Sequence, residues 1–286
     1  MRYEQPQTLN DAVALLGGAS PNTFVLAGGT DLLVRMKSDA FDADLVVDIK
    51  AVDGISLIGE TEDSFVVGAG VSCATLGEHP AFKAAWPGVV EAANLIGSTQ
   101  IQSRCTMVGN LCNASPAADS VPALVAAGAQ ARIVGQTGTR TIPVEDVPQG
   151  PGKTSLQPGE FIDALLFDKR PPRSADAYLR FTPRTEMDIA VVGAAVNLTL
   201  DETGTIENAR VALGAVAPTV VLVNEAAAAL IGTQLDDAAL DRLAEICSAA
   251  CNPIDDKRGT ITFRKQVAGV LARRAARIAY DRAGGE

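Results

Sequence analysis

Apolar positions in residues 8–17, TLNDAVALLG, recur at helical spacing, with Thr8 or Asn10 able to cap the start and Gly17 and Gly18 able to stop it. NTFVLAGG then reads as a strand, DLLVRMK as the opening of a helix and ADLVVDIK as a further strand. SLIGETEDSFVVGAG has the pattern of a hairpin pair. The stretch CATLGEHPAFKAAWPGVVEAANLIG is mainly helical, with breaks at Pro80 and Pro87. Residues 97–123 lack a period, are rich in small polar residues, Gly and Pro, and are too long for an ordinary connector, which predicts a functional loop. A short helix, strands around a Gly-rich turn, a flexible Pro/Gly loop over 147–161 and the strand FIDALLF follow.

Pro171 and Pro172 deny both helix and central strand and mark the best candidate boundary. Beyond them AYLRFTPR, IAVVGAAVNLTLD and IENARVALGAV alternate like antiparallel strands, and three helices close the chain. Strands followed by helices predict a separate α+β domain.

Composition narrows the function. A formal charge of −10 without a dominant Lys/Arg cluster argues against nucleic acid as the main partner. No apolar run approaches the roughly 18 residues of a membrane span, and no basic-then-apolar leader opens the chain, so a cytoplasmic enzyme or subunit is the expectation. Five cysteines and one histidine make neither a disulfide framework nor a metal site, and buried free thiols are expected. His79, before Pro80, reads as an exposed turn residue, which weakens hydrolase chemistry.

Two bends carry the candidate chemistry. In VLAGGTDL, Gly28 and Gly29 sit at a strand-to-helix turn whose bare main-chain amides suit phosphate. Thr30 can cap the helix or donate to phosphate, and the Asp31 carboxylate should point away. The pattern is neither GxGxxG nor a P-loop. The second bend offers Thr106, Gly109, Asn110, Ser115 and Asp119. Gly109 permits unusual backbone geometry, Asn110 can donate and accept, and Asp119 can accept from sugar or ribityl hydroxyls. Two such bends suit a ligand with a central diphosphate.

AGGTDLL together with TMVGNLCNASPAADSVPAL resembles the two FAD-binding signatures of the molybdenum hydroxylase flavoprotein family, the medium subunit of carbon monoxide dehydrogenase type enzymes and the middle domain of xanthine dehydrogenase. AYLRFTPRTEMDIAVVGAAV and the tail TFRKQVAGVLARRA are similar to later family segments, so the likeness spans nearly the whole chain. Val108 stands where the family usually has a glycine, which should make that turn less permissive, and Arg180 where lysine is common.

The resemblance implies an α+β fold: a vanillyl-alcohol-oxidase (PCMH)-type FAD-binding domain over 1–172, with α/β subdomains of about 1–55 and 56–172, then a C-terminal domain over 173–286 with a three-stranded antiparallel sheet and helices. It implies that Val25, Leu26, Ala27, Gly28, Gly29, Thr30, Asp31 and Leu32, with Thr106, Val108, Gly109 and Asn110, cradle the FAD diphosphate, Ser115 assisting. Asp119 would bind hydroxyls, Ile96 and Ile162 would make apolar contacts, and Arg180 would lie at the cofactor's polar edge. Ile189, Ala190 and Val191 could pack on the flavin ring or be strand core.

No side chain is implied as catalytic and no metal is expected in this chain. Partners would be a small 2Fe–2S subunit and a large molybdenum-cofactor subunit, as a dimer of heterotrimers, with electrons leaving to an external acceptor. No cysteine cluster stands in 135–160, which argues against an extra iron–sulfur insertion. Two alternatives stay open: a self-contained FAD oxidase, and a non-catalytic nucleotide-binding module.

Overall fold

The computed structural model describes every residue except Ala19, Asp39, Ala40 and Glu286. The chain opens with β1 (Arg2–Glu4), α1 (Leu9–Gly17), β2 (Thr23–Leu26), α2 (Leu32–Lys37) and β3 (Leu45–Asp48). These strands form a small parallel sheet in the order β1-β3-β2. Thr8, not Asn10, caps α1, its hydroxyl accepting from the Asp11 amide at 3.1 Å.

Next come β4 (Ile58–Glu60), β5 (Ser64–Gly68), α3 (Cys73–Glu78), α4 (Pro80–Ala85) and α5 (Pro87–Ala93). Pro80 and Pro87 each occupy a first helical position, where the missing N–H costs nothing. His79 is not an exposed turn residue. It is half-buried, and its Nδ1 accepts from the Phe82 amide at 3.2 Å, capping α4.

The expected long loop is also corrected: α6 (Thr99–Gln102), α7 (Met107–Cys112) and α8 (Ser120–Ala126) lie within or across it. Their hydrophobic spacing is invisible over one or two turns, and of the three only α7 has a side-chain cap, from Thr106. β6 (Gln130–Gly135), β7 (Gly138–Pro143), β8 (Pro148–Gly150), β9 (Lys153–Thr154) and β10 (Phe161–Asp168) complete this half. A five-stranded antiparallel sheet runs β4-β5-β10-β6-β7. The Pro/Gly segment before β10 contains the small β8–β9 hairpin, turned through Gly150 and Gly152 at φ 151° and 69°.

The C-terminal half holds β11 (Ser174–Phe181), β12 (Val192–Leu200), β13 (Ile206–Gly214), β14 (Val221–Leu222), α9 (Asn224–Leu230), α10 (Asp237–Ala249) and α11 (Ile261–Arg282). Its sheet is antiparallel in chain order, three long strands plus the two-residue β14. Both faces are covered. Tyr178, Ala195 and Ala212 join the core of the first half, while Ala177, Ala194, Val196, Val211 and Leu213 pack under the C-terminal helices. Burial on both sides explains why these strands carry so few polar interruptions. The small residues matter: a Cβ at Gly88 of α5 would stand 2.6 Å from Asp176 Oδ2 and 2.8 Å from the Ala177 amide nitrogen. The two halves therefore meet backbone to backbone, and the Arg170–Asp176 pair, 2.9 Å long and buried, seals that contact.

Candidate functional site

The first bend rests on an edge strand. β2 pairs only with β3, and the chain leaves it through Ala27, whose carbonyl accepts from Lys50 Nζ at 3.1 Å. Gly29 is left-handed at φ 77°, which glycine adopts without a Cβ penalty. Gly28 is needed for another reason. A Cβ there would lie 2.2 Å from the Arg104 carbonyl oxygen and 3.0 Å from Cys105 Cα. The first bend thus lies directly on the backbone that leads into the second. The amides of Gly29, Thr30, Asp31 and Leu32 donate to no group among the described residues, so they remain free for an anion.

The second bend begins at Thr106, whose buried hydroxyl accepts from the Gly109 amide at 2.9 Å and caps α7. Val108 and Gly109 lie inside this short helix, and neither has a positive φ. The expected strain at Val108 is therefore absent, and Gly109 does not serve by unusual geometry; a Cβ there would come 3.0 Å from Thr106 Oγ1. Asn110 does not divide its side chain as expected. Its Oδ1 accepts from both the amide and the hydroxyl of Ser120, at 3.1 and 2.8 Å, which leaves Nδ2 as the free donor.

Between the bends lies a cavity of about 390 Å³, within the range of small-molecule sites. Val25, Ala27, Gly28, Gly29, Thr30, Asp31 and Leu32 line it from one side, and Thr106, Val108, Gly109 and Asn110 from the other. Ile96 and Ile162 also line it, both largely buried. Leu26 does not reach it; it is core beneath the bend. Asp31 does not turn away: its carboxylate lies 3.5 Å from Asn113 Nδ2, reaching toward the second bend. Free amides, a hydroxyl and an amide donor beside apolar walls make a chemistry that fits a dinucleotide with a diphosphate centre.

The remaining candidates stand elsewhere. Ser115 lines a second cavity of about 430 Å³ between the halves, together with Ile189 and Ala190. Val191 is fully buried core. Asp119 and Arg180 line neither cavity. Arg180 Nη1 donates to Asp119 Oδ2 at 2.9 Å, and their side chains are 6% and 12% exposed. Burial pushes the Asp119 carboxyl up to about 6 despite the guanidinium beside it. Asp119 Oδ1 is buried and has no partner among the described residues.

Residues that sequence reasoning missed include Arg35, Cys105, Asn113, Thr154, Leu156 and Glu160, all on the wall of the first cavity. Arg35 was within sight, a turn beyond the first bend on the expected helix; Asn113 lies in the stretch expected to be a loop. Thr154 and Leu156 come from the β8–β9 region and carried no signal in the chain.

A two-bend cavity in a mixed α/β half, joined to an antiparallel sheet backed by helices, defines a flavoprotein subunit of the FAD-binding kind. Residues 1–167 match the family model for the FAD binding domain in molybdopterin dehydrogenase, and residues 177–279 that for the CO dehydrogenase flavoprotein C-terminal domain. The chain is 32% identical to the carbon monoxide dehydrogenase medium chain of Afipia carboxidovorans, over 98% of this chain and 97% of that one. It is 29% identical to the xanthine dehydrogenase FAD-binding subunit of Escherichia coli, over 99% and 97%. A solved structure of reconstituted CO dehydrogenase from Oligotropha carboxidovorans superposes with a TM-score of 0.93 at 32% identity, covering 98% of both chains. The chain belongs to the FAD-binding medium-subunit family of the molybdenum hydroxylases, and is the flavoprotein component of an oxidoreductase.

Proposed function

We propose that this chain carries FAD between the two bends and passes electrons from a 2Fe–2S subunit to an external acceptor, while a molybdenum-cofactor subunit oxidises the organic substrate. The assembly on this reading is a dimer of heterotrimers. The observation that carries it is the contact of Gly28 with Arg104 and Cys105, which makes one cavity out of two phosphate-friendly bends. FAD supplies the redox chemistry, accepting electrons singly or in pairs.

The protein supplies position and electrostatics. The amides of Gly29 to Leu32 and the donor Nδ2 of Asn110 hold the diphosphate, with the Thr106 hydroxyl beside them. The Asp119–Arg180 pair lines neither cavity and instead holds the entry to α8 behind the second bend. Ile96 and Ile162 exclude water from the apolar part. Ser115 lines only the second cavity, on the far side of the second bend, and assists from there at most through the backbone that joins them.

Co-expression with candidate partner subunits, followed by a mass-spectrometric inventory and an absorption spectrum, tests this. One FAD per chain, with iron–sulfur and molybdenum polypeptides co-purifying, is expected. A colourless chain would leave the binding-module reading. Rapid flavin reduction by an organic substrate in the isolated chain would favour the self-contained oxidase.

A further inference from the structure

Ser72 and Thr106 form an antiparallel bridge, and the Cys73 amide donates to the Cys105 carbonyl at 2.9 Å. Cys73, the first residue of α3, and Cys105 therefore face each other beside this isolated bridge. Opposed residues in antiparallel pairs have Cα atoms about 4.5–5.5 Å apart, inside the ~4.4–6.8 Å that a disulfide spans. Both thiols are free and buried, and Cys105 forms part of the wall of the first cavity. Cys105 is also the hinge of the cradle. Its predecessor touches Gly28, and its successor, Thr106, caps α7.

We propose that Cys73 and Cys105 form a reversible disulfide under hydrogen peroxide, and that its formation weakens the hold on FAD; the second half rests on the function proposed above.

The thiols differ in character. Cys73 donates a hydrogen bond that holds the Cys105 thiol below its ordinary value, while the same contact and burial raise Cys73. Cys112 faces the same cavity, but burial pushes it up to about 12, and Cys247 and Cys251 are raised as well. Cys105, which lines the cavity, is thus the thiol of the pair that gives up its proton more readily and that peroxide entering the cavity meets first. Its sulfur attacks one peroxide oxygen, the O–O bond breaks, and the departing hydroxide takes a proton and leaves as water. The Cys73 sulfur then attacks the Cys105 sulfenic acid, and its proton leaves with the hydroxyl as a second water. Two thiols and one peroxide give one disulfide and two waters. An S–S bond of about 2.05 Å draws Cys105 toward α3, away from the contact that joins the bends.

The test treats the full-length flavin-loaded chain with hydrogen peroxide, blocks remaining thiols with N-ethylmaleimide and maps peptides by mass. A linked peptide containing Cys73 and Cys105, reversed by dithiothreitol, is expected, with the Kd for FAD rising about tenfold in the oxidised form. In Cys73→Ser the reaction should stop at a Cys105 sulfenic acid trapped by dimedone, with FAD affinity insensitive to peroxide. Cys251→Ser, under the C-terminal helices and away from the cavity, should behave as the parent. Absence of the linked peptide, or oxidation of Cys112, Cys247 or Cys251 in its place, overturns the pair. A linked peptide with unchanged FAD affinity overturns the coupling. A reduced chain that binds no FAD strikes the proposed function instead, and the peptide map still decides the pair.

Discussion

Arg180 of β11 donates to Asp119, the residue ahead of α8, and the pair joins the C-terminal sheet to the segment that follows the second bend. Tyr178, two residues before Arg180 on the strand, is fully buried beside them, and burial pushes its phenol well up. A carboxylate, a guanidinium and a phenol thus sit where the two halves of the molecule meet. Removing one member of such a buried pair costs about 3–5 kcal/mol, since the other charge stays behind.

The first prediction concerns pH. The folded pKa of Asp119, about 6, lies above the ~3.9 of an unfolded aspartate. Between those values the native chain binds a proton that the unfolded chain has lost, so this group's contribution falls as pH rises and levels off above about pH 6. Two pKa units amount to about 3 kcal/mol. Urea unfolding of the flavin-free chain and of Asp119→Asn, at pH 4 and pH 6.5, should show the parent losing about 2–3 kcal/mol relative to the variant. Parallel pH curves for the two proteins would contradict it.

Glycine substitutions should rank by what the new methyl meets. Gly28→Ala puts it 2.2 Å from a backbone carbonyl oxygen, so the bends must separate. A loss of about 1–3 kcal/mol and a fall in FAD affinity of about tenfold or more are expected. Gly29→Ala strains a φ of 77° by about 1–2 kcal/mol, but the methyl meets the ends of Leu26 and Leu33, which can rotate. Gly18→Ala, with nothing within 4 Å, should be close to neutral. Thermal melts and flavin-fluorescence titrations check the order, and an equal effect at positions 18 and 28 would refute it.

At Asn110, folding and binding separate. Asn110→Asp keeps an acceptor for the two Ser120 donors and removes the Nδ2 donor. The variant should melt within a few degrees of the parent and bind FAD about tenfold or more weakly, because a carboxylate now faces a diphosphate. Asn110→Ala should lose about 1–3 kcal/mol of stability as well, since the buried Ser120 hydroxyl and amide lose their partner. Unchanged FAD affinity in Asn110→Asp would remove this residue from the cradle.

Much of the architecture was readable because long elements carry their period. The hairpin of β4 and β5, the three long C-terminal strands and α10 and α11 follow directly from apolar spacing and caps. The six-residue α7 did not, because a helix that short shows barely two repeats and is set by the Thr106 cap. The bends were legible as glycine and small polar clusters, but not the division of labour at Asn110, which depends on Ser120 arriving through the fold. Nor could the chain reveal that Asp119 and Arg180, 61 positions apart, would be committed to each other. Long-range pairing of single charges leaves no periodic trace.

The final prediction tests the joint at the second cavity. Arg264, in the first turns of α11, donates from Nη1 to the carbonyls of Val191 and Ala215 at 2.8 and 3.3 Å, and from Nη2 to Asp256 at 2.7 Å. Ala215 holds a positive φ of 62°, which a non-glycine residue keeps only when its surroundings enforce it. Its amide is held by the Pro116 carbonyl at 2.8 Å, and its own carbonyl by Arg264. The guanidinium therefore fixes both a strained residue and the segment entering β12. Lysine offers one nitrogen in place of a fork and cannot serve carbonyls and carboxylate together. Arg264→Lys should cost about 1–3 kcal/mol, and Arg264→Ala about 3–5 kcal/mol, in urea unfolding. Both losses should add to that of Gly28→Ala, which shares no partner with them. A lysine variant as stable as the parent would show that charge alone, not the fork, holds this joint.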